Sequence, residues 1–197
     1  MSRHHISNTY LVKLLLLLLI SIPGLAQKKY EREYSLKTSA VPQQALAFVT
    51  GSFKNTKVHW YGEESLNGTT IEAKLKKSGI MYSVEFSADG KIQDIEILTR
   101  FDRLSPALQT AIKKRLAEEF KTFKVIKTQT QWTGSKEDLQ QAINNEQLPA
   151  AIKVHYEMVV KGQKTGLSTY FEVLANDEGV VTSVREIIQR NSDNLIY

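Results

Sequence analysis

From Ile80 onward, the apolar residues Ile80, Tyr82, Val84 and Phe86 are separated one by one by Met81, Ser83, Glu85 and Ser87. A period of two places the first set on one face of a strand. Ala88, Asp89 and Gly90 then supply turn chemistry, because glycine accepts positive φ and aspartate bonds its neighbouring backbone. A second strand follows with Ile92, Ile95 and Ile97, so residues 79–98 read as one β-hairpin. The pattern returns without a gap at residues 169–188. Tyr82 matches Phe171, Val84 matches Val173, Gly90 matches Gly179, and Ile95 matches Val184.

Each hairpin closes a longer series. Val41 and Pro42 open a short helix with Ala45, Leu46, Phe48 and Val49 on its apolar side, proline being well placed in a first turn. Val58 and Trp60 then alternate with His59 and Tyr61, Asn67 and Gly68 turn the chain, and Ile71, Ala73 and Leu75 alternate with Glu72 and Lys74. The second series starts with Ser105 as N-cap and Pro106 behind it. Leu108, Ala111, Ile112, Leu116 and Phe120 follow at helical spacing. Residues 124–132 read as a strand, 135–145 as a short inserted helix, and Ile152, Val154, Tyr156, Met158 and Val160 as the strand before the second hairpin.

The pattern therefore predicts an α+β fold of two tandem helix-plus-four-strand repeats, residues 41–103 and 104–197, forming an antiparallel sheet with helices packed on one face. The second repeat carries an insertion near 134–148. Trp60 and Trp132 fall at corresponding places in the two series. Residues 27–40 are polar, without a sustained period, and are set aside as a leader, either flexible or a short edge strand.

Residues 1–26 read as a signal peptide. Arg3 and Lys13 flank an apolar run over residues 11–22, Pro23 and Gly24 break it, and Gly24-Leu25-Ala26 fits the small-x-small cleavage rule. Cleavage gives a chain starting at Gln27, periplasmic or secreted, with no stable membrane span; without a cysteine at that point it is not lipidated. The formal charge falls from +5 to +3 once Arg3 and Lys13 leave, too weak a surplus for a nucleic-acid track. With no cysteine anywhere, the fold depends on a hydrophobic core.

With its signal segment, proline-started helices, the aromatic strand KVHWYGEE and the turn-bearing strands EFSADGKI and VLANDEGVV, the sequence resembles the PepSY-like, or β-lactamase-inhibitor-like, proteins of bacterial envelopes. The resemblance spans residues 41–188. It implies helices on one face of an antiparallel sheet, and binding or inhibition outside the cytoplasm rather than catalysis. It names no target and no site residue.

The chemistry-bearing residues add little to that. His59 and His155 stand on different predicted strands without further ligands at metal spacing, so no metal or other cofactor is expected. No nucleophile elbow, phosphate loop or calcium loop is present. Glu72, Glu85 and Glu96 could meet as paired carboxylates, but lysines beside them point to a solvated sheet surface. Trp60, Tyr61, Trp132 and Tyr156 remain as aromatic anchors for a partner, with a core role weighed against that for both tryptophans. The expectation is a non-enzymatic exported binding module, inhibitory or regulatory toward an envelope or secreted protein or peptide. The alternative is a periplasmic carrier of a small molecule or lipid in a pocket between helices and sheet.

Overall fold

The computed structural model describes residues 28–66, 68–145 and 148–189. The expected signal segment, Asn67 of the expected turn and the chain beyond Gln189 lie outside the described residues. The strands are β1 (Lys28–Leu36), β2 (Val58–Ser65), β3 (Gly68–Lys77), β4 (Ile80–Ser87), β5 (Ile92–Thr99), β6 (Thr122–Thr133), β7 (Lys153–Gln163), β8 (Thr169–Asn176) and β9 (Val181–Gln189). Helix α1 (Gln43–Ser52) precedes β2, α2 (Pro106–Glu119) precedes β6, and α3 (Lys136–Asn145) lies between β6 and β7.

Each strand pairs antiparallel with the next, and β1 returns parallel to β9, so the sheet closes into a barrel. The stretch set aside as a leader is thus the closing strand, bonded to a neighbour on both sides. Its sequence hides this because Lys29, Glu31 and Glu33 occupy one face where an apolar stripe would otherwise announce a strand.

All three helices lie on the convex side. Phe48 and Val49 of α1 and Leu139 and Ile143 of α3 pack on Trp60, Ala73, Leu75, Val84, Phe86 and Ile95. Ile112 and Leu116 of α2 pack on Met158, Val160, Phe171 and Val173 in a second core. A fully buried aliphatic or aromatic side chain contributes roughly 1.5–3 kcal/mol, which makes these two seams the main source of stability. The helix starts follow the expected chemistry: Ser105 Oγ accepts from the Leu108 amide at 3.3 Å, and Ser135 Oγ from that of Asp138 at 3.1 Å.

The two hairpins are built alike. Each strand pair slips by one residue, between Glu85 and Phe86 and between Leu174 and Ala175. Each turn carries a glycine at positive φ, +87° at Gly90 and +82° at Gly179. Both glycines also tuck beneath a helix, where a Cβ would come within 2.6 Å of the Pro42 side chain or 3.0 Å of the Ala111 side chain. The turn residues therefore shape and dock a corner. They do not form a ligand loop.

Candidate functional site

The second face of every strand points into the barrel. Alternation places Glu72 and Lys74 of β3, Ser83 and Glu85 of β4, and Asp94 and Glu96 of β5 on the side away from the helices. Gln129 and Gln131 of β6 and His155 and Glu157 of β7 continue that surface. Glu172 of β8 and Arg185 of β9 follow, and Lys29 of β1 completes the circuit.

Carboxylates stand directly opposite one another on this surface. Glu72 faces Glu85, Glu85 faces Asp94, and Glu33 faces Glu63. Like charges in register destabilise a sheet unless something neutralises them. Part of the neutralisation is internal. Lys29 bridges Glu31 at 2.8 Å and also Glu172, which Arg185 grips from the other side. Lys74 links Glu33 and Glu72, with its ammonium 4.8 Å from the centre of the Tyr61 ring. Burial works against the Lys29 charge, but Glu157 and Glu172 outweigh it and hold the ammonium above the ordinary lysine range. Burial likewise works against the Glu172 carboxylate, and Lys29 and Arg185 nevertheless keep it below its ordinary value.

A second group has no such partner. Among the described residues, Glu63, Glu85, Asp94, Glu96 and Glu157 have no cation at ion-pair distance. Burial first, then Glu85, Glu157 and Glu72, push the Asp94 carboxyl up to about 8. Burial and then Glu172 push Glu157 up to about 7. Glu63, Glu85 and Glu96 are raised as well, again by burial before charge. Glutamine amides answer part of this: Gln131 donates to Asp94 Oδ2 at 3.2 Å and Gln129 to Glu96 Oε2 at 2.7 Å. Asp94 Oδ1 and His155 Nδ1 are enclosed and have no hydrogen-bond partner.

Glu96 and Glu157 are surrounded by protein, yet both keep some accessible surface. Both side chains face the interior of the closed sheet, and a barrel of about this strand number is wide enough to hold one small ligand. The carboxylates expected on a solvated sheet surface are therefore enclosed, because the sheet curls shut over them. The register carries the sign of this: a hairpin that sets Glu85 against Asp94 breaks a pairing rule, and such breaks gather at functional sites.

The four aromatic candidates do not converge. Trp60 is 6% exposed and packs against Phe86 at 6.1 Å, within the core. Trp132 is half-buried against the α1 and α3 core, and Tyr156 against the α2 core. Tyr61 faces the interior, beneath Lys74. Among the described residues, no three histidine, aspartate or glutamate side chains are placed to hold a metal ion, and no helix is long and apolar enough to cross a membrane.

Comparison with known proteins assigns no activity. No protein-family model matches the chain, and no curated protein is similar to it in sequence. The structure is similar to that of a DUF2874 family protein from Bacteroides ovatus ATCC 8483, with TM-score 0.49, 14% identity, and coverage of 74% of this chain and 87% of that one. It is also similar to a protein from Bacteroides eggerthii DSM 20697 for which a periplasmic location has been suggested. There the TM-score is 0.46 and the identity 14%, covering 74% of this chain and 88% of that one.

Proposed function

We propose that this chain is an exported, non-enzymatic binding protein of PepSY-like type that takes a small ligand into the barrel. The observation that carries this reading is the enclosed inner surface, where Asp94 Oδ1 lacks a partner and Glu96 and Glu157 stay accessible without a counter-cation. The carrier alternative had placed its pocket between helices and sheet. That seam is filled by the two hydrophobic cores, so the ligand site moves to the opposite face. Export, by cleavage after Ala26 into the periplasm or beyond, rests on the charged start and apolar run of residues 1–26. The duplication of a helix-plus-four-strand unit is supported by the matched register slips and helix-docked glycines of the two hairpins.

The second reading is a protein partner that the module inhibits or regulates. Its support is Leu66 and Leu167 at hairpin tips, 77% and 92% exposed. Native mass spectrometry of gently purified protein separates the two. The carrier reading expects a small co-purifying mass that is lost in Glu96→Leu while the melting transition persists. Emergence at the bare mass, together with capture of a protein partner that Leu66→Ser and Leu167→Ser abolish, would replace it with the second reading.

A further inference from the structure

Whatever occupies the barrel must suit its charge. Around Asp94 stand Glu85 and Glu72 from β4 and β3, Glu96 on its own strand and Glu157 from β7, with His155 of β7 opposite Gln131, while Lys29 and Lys127 act on it or its neighbours only through space. Lys29 and Arg185 are committed to Glu172 and Lys74 to Glu33 and Glu72, while Lys127 of β6 offsets Glu96 and Glu157 without an ion pair to either, so the acids of this wall still outnumber its cations. Two observations go beyond an accumulation of acids. Asp94 is only 7% exposed, points into the interior, and leaves Oδ1 without a partner. The uncommitted carboxylates also come from β2, β4, β5 and β7, so they are spread around the wall, and no three converge as a point-charge ion would require.

We infer that the barrel interior binds an aliphatic polyamine, whose ammonium groups reach Asp94 and the uncommitted glutamates around it. This rests on the small-ligand reading above. A polyamine distributes charge along a flexible chain, so each ammonium can meet a different carboxylate and donate charge-assisted hydrogen bonds to it. Its methylenes suit the apolar part of the same wall, Val159 and Leu174 among the carboxylates. The Tyr61 ring already serves as a cation platform for Lys74. Binding replaces protons: carboxyls that keep theirs near neutrality give them up when an ammonium arrives.

Calorimetric titration of the purified protein with spermidine, in buffers of different ionisation enthalpy, tests this. The expected result is saturable one-to-one binding with net proton release. Affinity should fall about tenfold or more in Asp94→Asn and in Glu157→Gln, while Glu118→Gln on the outer face of α2 leaves it unchanged. Melting curves confirm that each variant is folded. Equal binding by all variants, or binding without proton release, would show attraction to the surface only and overturn the inference. Preference for calcium ions or for a lysine-rich peptide over spermidine would overturn it too. Should spermidine fail while another small molecule co-purifies in the barrel, the polyamine falls and the small-ligand reading stands; should nothing small bind there, both fall.

Discussion

Asp94 shows what the inner surface costs. In the unfolded chain its carboxyl ionises near 3.8, whereas in the fold burial and then Glu85 keep the proton on up to about 8. Between those values the folded state binds more protons than the unfolded one, so stability falls as pH rises through the window. Glu157, raised by burial and Glu172 to about 7, acts in the same direction. Melting temperatures measured from about pH 5 to 8 are therefore expected to decline in the ligand-free protein, and Asp94→Asn to flatten the decline. An unchanged slope in that variant would remove Asp94 from the account. Gly62 is a second residue with a single physical reason. A Cβ there would lie 2.5 Å from the Tyr34 ring, which covers this point of β2 from the adjoining strand. Gly62→Ala is expected to cost about 1–3 kcal/mol by chemical denaturation, and the added Tyr34→Ala change to cancel most of the clash.

Among the elements, α3 tests how an insertion becomes part of a core. Ser135 caps it, and Leu139 is fully buried beside residues of α1 and β2 to β5. Leu139→Ala is expected to lower stability by about 2–5 kcal/mol in a denaturant melt, with α3 losing protection first. The local signals behind α2, α3 and both hairpins were all readable in the sequence: a serine cap, apolar spacing of three and four, and glycine where φ turns positive. The closing strand was not. Its pairing with β9 joins residues far apart in the sequence, and no short window carries that information. The site was hidden for a related reason. A polar face on alternate positions reads the same whether it meets bulk water or closes on itself, so Glu72, Glu85 and Glu96 were visible as a set but not as the inner wall of a barrel.

At the scale of the whole molecule, closure divides the charge. The chain carries a formal +5, yet the inner wall holds more acids than cations, so the convex surface is more cationic than the total implies. The seam that keeps the two sides apart is the parallel pairing of β1 with β9. Among the described residues β1 registers in parallel with β9 from Lys28 to Glu31 and β6 antiparallel with β7 from Thr122 to Thr133, and parallel pairing is slightly less stable per residue. Hydrogen exchange is expected to be fastest at the β1–β9 amides and slowest in β6 and β7; protection of the seam equal to that of β7 would mean the barrel never opens locally.

That parallel seam also sets an order of events. β1 is synthesised before the other described strands, but one of its two neighbours, β9, is made after them. Without β9 the sheet cannot close, and its acids would meet bulk water. The dehydration of Glu96, Asp94 and Glu157 is thus deferred to the final step, together with the entropy of bringing distant segments together. A cation present at that moment would be enclosed as the sheet shuts, so loading and the end of folding become one event.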